Sequence, residues 1–498
     1  MNNSIKKITF EKNRILIYNP PAELNQSFIS SLTEYSNYNN FAKKILFQAI
    51  KYIKLEDNRY VLCIPRFYPS KYLQQYFPDY IVEDNLNSEY NKFDTIELNI
   101  TKTPRDYIQE DCIDYLHSRG DFYYTKKFDY LKVLTLQTGI GKTYCGIKYI
   151  CDSGIKTIIT TDAKTIFDDV WLKDLFEYTD IVKEDILEIK DSSTIKKYLK
   201  NIDKYKNIKI FLICNKTVGS LLRTEQNIIL LQDFFKKAKI GLTIHDEAHK
   251  DYKVLTLLSF YIDVYKKIYM TATPKRTSYS ADKVYQYILP SSNYWIGLKE
   301  EHRKNNHINF LFHVFDSKPK EYDKAKMLKK PGVNSALYSD YLMENGYDNI
   351  LEQIKIYVDK MIKSNYRVVI ICGKLEFIEK LKESLEELYP NNTIGEYTSR
   401  IKDKELKSLE LKKDIIISTE KSLGAGIDAI FHVMINLVRL SSQVAIPQLA
   451  GRLRDIEGSP CLFIDMVDKG FIRIQQQFAK NKTFVKKELA KNLTVIEA

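Results

Sequence analysis

The chain has 498 residues but only 7 cysteines, at 63, 112, 145, 151, 214, 372 and 461, and no two of them form a Cys-x-x-Cys pair. An odd, scattered set excludes a disulfide framework and reads as small buried residues in a reduced, intracellular setting. No apolar run is long enough to cross a bilayer, and Met1-Asn-Asn-Ser-Ile-Lys-Lys leads into no apolar stretch. Neither a secretory signal nor a membrane anchor is therefore expected, and the location expected is cytoplasmic. There is no fine-period repeat and no low-complexity tail. His117, His302, His307, His313 and His432 stand alone, and no Ser/His/Asp or Cys/His constellation accompanies them. Alanine and glycine are few against heavy use of Lys, Ile, Asn and Tyr, which reflects the base composition of the coding genome.

Lysine and arginine give a formal net charge of +12, which suits a polyanionic partner. The length is too great for one core and fits roughly two to four domains. Against this background two segments stand out. In Leu134-Thr-Leu-Gln-Thr-Gly-Ile-Gly-Lys-Thr143 an apolar run breaks at Gly139 and Gly141 and opens into an amphipathic stretch. Strand, phosphate loop and helix in that order give a Walker A sequence its meaning. Backbone N–H groups of Thr138, Gly139, Ile140 and Gly141 would close on phosphates at a helix N-terminus, Lys142 would reach the β- and γ-phosphates, and the Thr143 hydroxyl would ligate Mg²⁺. The strict pattern has glycine where Leu136 stands. The second segment is Ile244-His-Asp-Glu-Ala-His249, at the end of a buried run. There Asp246 would hold Mg²⁺ and Glu247 would polarise the attacking water, so the two segments supply the halves of an ATP-hydrolysing site. A rival reading places His245 and His249 on one face of a zinc-binding helix. It needs Glu directly after the first His, where Asp246 stands, and a helix where the pattern is a strand.

Period-2 stretches at Lys7-Ile-Thr-Phe and Arg14-Ile-Leu-Ile-Tyr, a helical stretch from Phe41 to Ile53, and Arg59-Tyr-Val-Leu-Cys-Ile form a small α/β module, residues 1–100. It reads as an accessory domain. Its run Pro65-Arg-Phe-Tyr-Pro-Ser-Lys-Tyr-Leu-Gln-Gln-Tyr either stacks bases and touches phosphates or packs on its own sheet. Because the motifs begin only near Pro104, a chain starting at about residue 100 is expected to keep basal ATPase. Over 101–280, strands at Leu131–Leu136, Thr157–Thr160, Ile208–Cys214, Ile240–Ile244 and Lys267–Met270 alternate with helices, which implies a parallel sheet with ligands at its strand C-termini. Residues 281–349 read as a connection with one strand, Ile308–Phe315. A second sheet is expected over 350–498, with strands Arg367–Cys372, Asp414–Ser418, His432–Leu437 and Cys461–Ile464. Asp185-Ile-Leu-Glu-Ile-Lys190 offers nuclease-like carboxylates, but reads as a solvated charge cluster in a connecting helix or turn.

From about Pro104 to Asp465 these residues resemble superfamily 2 helicases and translocases. Pro104-Arg-Asp-Tyr-Ile-Gln109 resembles the segment whose glutamine contacts adenine, with one extra residue between Tyr107 and Gln109. Ile158-Ile-Thr-Thr161 through Trp171 resembles motif Ia, and Ile213-Cys-Asn-Lys-Thr217 the next strand-end segment. Met270-Thr-Ala-Thr-Pro-Lys-Arg276 resembles motif III, in which Thr271 and Thr273 would couple the phosphate site to the cleft between domains. Ile371-Cys-Gly-Lys374 resembles motif IV, Ser418-Thr-Glu and Leu423-Gly-Ala-Gly-Ile-Asp428 motif V, and Gln448-Leu-Ala-Gly-Arg452 motif VI.

The resemblance implies two tandem RecA-like domains after the accessory module, using ATP and Mg²⁺. It places Gly426 and Asp428 near the nucleotide, and Thr161, Lys216, Thr217, Lys374 and Thr419 on nucleic acid. Arg452 is the expected finger on the γ-phosphate, with Gln448 beside it. The family's second arginine position holds Asp455, so either Arg454 shifts into that role or one arginine serves. The layout is most similar to phage recombination and branch-migration helicases of the UvsW type, acting on single-stranded or branched DNA, and the coding bias fits a phage or viral origin. RNA unwinding, a translocating subunit of a restriction complex and a nucleotide-locked binding protein remain as alternatives. No membrane partner is expected, a monomer is compatible with the sequence, and the oligomeric state is open.

Overall fold

The computed structural model describes residues 6–36, 44–55, 59–85, 92–119, 129–136, 141–272, 276, 278–295, 308–328, 333–424, 431–438, 445–453, 461–489 and 492–497. The chain forms two compact units that divide between Gly297 and Leu298.

The first unit opens with β1 (Lys7–Phe10), β2 (Arg14–Tyr18), β3 (Thr33–Tyr35), β4 (Ile45–Gln48), β5 (Lys51–Lys54), β6 (Tyr60–Pro65) and β7 (Ile81–Asp84). Five of these form a mixed sheet in the order β5-β6-β2-β1-β7, and β3 pairs with β4 alone. The helix expected from Phe41 to Ile53 is therefore corrected: its described part is two strands, β4 and β5. Its branched and aromatic residues satisfy either spacing locally, and pairing with β3 and β6 decides for strands.

Alternation along β1, β2 and β6 sends side chains to opposite faces. Ile8, Ile15, Ile17 and Ile64 join a core with Val133, Leu255, Tyr269 and Val284. Leu16, Val61 and Cys63 pack instead with Phe260. The module thus shares apolar cores with the following sheet on both of its faces, which counts against the expectation that the motif-bearing part functions without it. Tyr68 is only 2% exposed. Its ring meets Phe28 and Tyr287, and Arg66 lies over Phe10, so the aromatic run at 65–76 packs on its own sheet, with Tyr72 exposed and Phe67 and Tyr76 half-buried.

The next sheet is built from β8 (Leu131–Leu134), β9 (Thr157–Thr161), β10 (Ile186–Ile189), β11 (Ile210–Cys214), β12 (Leu242–His245) and β13 (Lys266–Met270). It is wholly parallel in the order β10-β11-β9-β12-β13-β8. Helices such as Lys142–Ser153 and Glu225–Lys237 cross between strands. Of residues 185–190, expected in a helix or turn, Ile186–Ile189 form edge strand β10 paired with β11, and Asp185 ends the 3-10 turn Lys183–Asp185 before it. Charges at both ends had masked the apolar pattern of Ile186, Leu187 and Ile189. Asp185 pairs with Lys209 at 3.0 Å and Glu188 with Lys164 at 3.3 Å, as a charge cluster does.

The second unit contains β14 (Ile308–Phe315), β15 (Val368–Cys372), β16 (Ile394–Tyr397), β17 (Ile415–Thr419), β18 (Val433–Asn436), β19 (Cys461–Asp468) and β20 (Asn492–Glu497), all parallel in the order β16-β17-β15-β18-β19-β14-β20. The strand expected within the connection, β14, is an inner strand of this sheet between β19 and β20. Tandem RecA-like sheets behind a small α/β region are the architecture the sequence implied. Among the described residues no helix is long and apolar enough to cross a membrane.

Candidate nucleotide-hydrolysing site

Parallel pairing brings the C-terminal ends of β8, β9, β12 and β13 to one edge of the first unit's sheet, where loops can converge on a ligand. Gly141 caps the helix Lys142–Ser153 with φ of +100° and offers no side-chain cap, so the first N–H groups of that helix stay open to an anion. This φ favours glycine, and a Cβ there would also stand 2.3 Å from Nε2 of Gln109, whose side-chain end would have to move. Lys142 Nζ donates to the carbonyl of Leu136 at 3.2 Å. Gln109, 4% exposed, lies beside Gly141, and its Oε1 accepts from the Arg105 N–H at 2.8 Å.

Beyond β12 the Asp246 N–H donates to the Thr160 carbonyl at 2.9 Å, which fixes where Asp246 leaves the sheet. Glu247 then takes φ of +49°, a left-handed conformation that a residue with a Cβ adopts only at a cost of about 1–3 kcal/mol. Its N–H donates to Asp246 Oδ1 at 2.9 Å, and the Ala248 N–H to the Met270 carbonyl at 3.0 Å. The Asp246 carboxylate is 7% exposed and also accepts from Trp171 Nε1 at 3.1 Å on Oδ2. Burial, reinforced by the neighbouring Glu247 charge, pushes its pKa up to about 6 despite Lys142 and Trp171.

Two histidines support this loop. His249 Nδ1 lies 3.0 Å from Thr271 Oγ1 and 3.4 Å from Glu247 Oε2, and Arg276 donates to the His249 carbonyl at 2.9 Å. His245 Nδ1 lies 2.9 Å from Thr160 Oγ1, with its ring stacked on Tyr269 at 4.8 Å. Burial lowers their pKa values to about 3 for His245, helped by Lys267, and to about 4 for His249, so both stay neutral near pH 7. His245 ends a strand and His249 lies in a turn, so the shared helical face that the zinc reading requires does not form.

Lys142, Asp246 and Glu247 therefore meet in one site, with Thr143 on the same helix end. Thr138, Gly139, Ile140, Thr273, Gly426, Asp428 and Arg454 lie outside the described residues, as does the side chain of Gln448. Thr161 is fully enclosed and donates to the Ala163 carbonyl at 2.9 Å, so it is not a surface contact. Lys216 is exposed, and Thr217 donates to the Lys190 carbonyl at 3.3 Å. In the second unit Lys374 pairs with Asp340, and Thr419 donates to Ser422 at 2.9 Å. Arg452 is half-buried just past the helix Ala445–Ala450. The partnerships of Asp246 with Trp171 and of His249 with Thr271 and Arg276 are not legible in the sequence, because they join segments far apart in the chain; Trp171, one of 2 tryptophans, is the available signal.

The residues fit a magnesium nucleotide on two counts. An uncapped helix N-terminus stands at a glycine where any Cβ would collide, and two adjacent carboxylates, one raised to about 6, have Lys142 as the nearby cation acting on them.

Residues 101–276 match the family described as Type III restriction enzyme, res subunit. No curated protein matches the sequence. Among solved structures, the ATP-dependent Type ISP restriction-modification enzyme LlaBIII bound to DNA aligns with a TM-score of 0.54 at 15% identity, covering 80% of this chain and 31% of that one. This chain thus spans about a third of that enzyme. The DEAD-box helicase Mss116 bound to ssRNA and UDP-BeF aligns with a TM-score of 0.51 at 14% identity, covering 78% and 75%. The family match is confined to residues 101–276, and the two solved structures share the fold of this chain.

Proposed function

We propose that this chain is an ATP-driven motor that translocates on DNA and remodels branched or recombination intermediates. The observation that carries the ATPase part is that the Lys142 charge, beside the open helix end at Gly141, acts on Asp246, which Glu247 adjoins. Lys142 and the helix N–H groups bind the phosphates. Thr143 and Asp246 would hold the magnesium ion, which offsets charge on the phosphates. Glu247 accepts a proton from the attacking water and orients it, its carboxylate steadied by neutral His249. Arg452 enters through motif resemblance as the group that meets charge on the γ-phosphate.

DNA is favoured by the net charge of +12, by a family described as a restriction-enzyme subunit, and by a similar fold in an enzyme bound to DNA. Contacts mainly to phosphates would make binding insensitive to sequence and weaker as salt rises. Phosphate release measured with single-stranded DNA, duplex, a four-way junction and RNA tests the proposal. Stimulation by DNA, greatest for the junction, is expected. Stimulation by RNA alone would replace DNA with RNA as substrate, and no stimulation by any polymer would remove the motor.

A further inference from the structure

Trp171 is fully buried, at the end of the π-helical turn Phe167–Trp171, a rare geometry that recurs at functional sites. Its indole N–H is spent on a carboxylate 75 positions away, Oδ2 of Asp246, at 3.1 Å. The ring also reaches the phosphate-loop helix: a Cβ on Gly146 would lie 3.1 Å from Trp171 Cη2. One side chain therefore touches both elements that carry the expected magnesium ligands, Thr143 on that helix and Asp246 at the end of β12. The other oxygen of Asp246 accepts from the Glu247 N–H at 2.9 Å. With one donor on each oxygen the carboxylate plane cannot rotate, and the remaining lone pairs stay available to a cation.

We propose that Trp171 is a positioning residue for magnesium, holding the Asp246 carboxylate at a fixed orientation and distance from the helix that bears Thr143. The inference rests on the reading of Asp246 as a magnesium ligand. Loss of an outer partner of a metal-binding carboxylate typically lowers metal affinity by about 10–100-fold. Removing the indole N–H should therefore act on magnesium before it acts on nucleotide.

The test is a Mg²⁺ titration of the full chain, following both ATP hydrolysis and retention of a fluorescent non-hydrolysable ATP analogue. Trp171→Phe should raise the Mg²⁺ concentration at half-saturation about tenfold, and should leave analogue binding in EDTA unchanged. Phe167→Leu, on the same turn and also buried, should lower Tm without moving the Mg²⁺ midpoint. An unchanged midpoint in Trp171→Phe, or an equal shift in Phe167→Leu, would reduce Trp171 to packing. Asp246→Asn separates the two layers: if it leaves the midpoint unchanged, the reading of Asp246 fails and this inference with it. Should Trp171→Phe not fold, Trp295→Phe leaves Trp171 as the sole tryptophan, since the chain has 2. Its emission should then shift when Mg²⁺ is added to the analogue-bound protein and stay still in the Asp246→Asn background. An emission that ignores Mg²⁺ overturns the proposal.

Discussion

Lys267 shows how a single buried charge can tax the sheet that carries the site. It lies inside β13 at 2% exposure, and burial, together with Arg14 and against the attraction of Asp263, pulls its pKa from 10.5 down to about 7. Between pH 7 and 10.5 the unfolded chain holds this proton and the folded chain does not. Stability therefore rises with pH across that window through this group, and below pH 7 its cost is constant. Lys267→Met should raise the first unit's Tm at pH 7, and the gain over wild type should shrink towards zero by pH 10.5. Asp263 keeps Asn13 and Arg14 as neighbours in that variant, so it is not stranded. Thermal melts from pH 6 to 10.5 check this; a constant difference across the range would mean Lys267 is charged in the fold.

At the scale of elements, the N-terminal sheet is part of the first compact unit. Phe28 is fully buried, with edge-on contacts to Tyr68 at 5.7 Å and Phe77 at 5.2 Å, so Phe28→Ala should cost about 3–5 kcal/mol in denaturant unfolding. Starting the chain at residue 101 would uncover Val133, Leu255, Tyr269 and Val284, and should give an aggregating protein without ATPase. A soluble, fully active fragment would show the shared core to be dispensable. This dependence was hard to see in the sequence, because strand alternation tells that a face is buried but not what buries it. The parallel sheets were legible for the opposite reason: strands such as β11, β15 and β17, covered on both faces, read as near-continuous apolar runs of Ile, Val, Leu and Phe. Edge strands were missed, β10 because charges flank it and β20 because four of its six residues are exposed. In the site, Lys142, Asp246 and Glu247 were legible as contiguous strings. Trp171 was not, since a hydrogen bond across 75 positions leaves no local spacing to read.

For the whole molecule the question is whether turnover of ATP depends on nucleic acid. Arg452→Ala should lower hydrolysis by about 10³-fold with nucleotide binding nearly intact, as expected for a group that acts mainly in the transition state. Wild-type hydrolysis in that variant would remove Arg452 from the proposed mechanism. Lys142→Ala should abolish both basal and stimulated turnover. The most direct measurement is single-turnover ATP hydrolysis by wild type and Glu247→Gln, each with and without a DNA junction. Wild type should hydrolyse its bound ATP faster when DNA is present, while Glu247→Gln should bind ATP normally and hydrolyse it at least about 10²-fold more slowly under both conditions. Equal rates in the two proteins, or a wild-type rate indifferent to every nucleic acid, would contradict an ATP-driven motor built on this site.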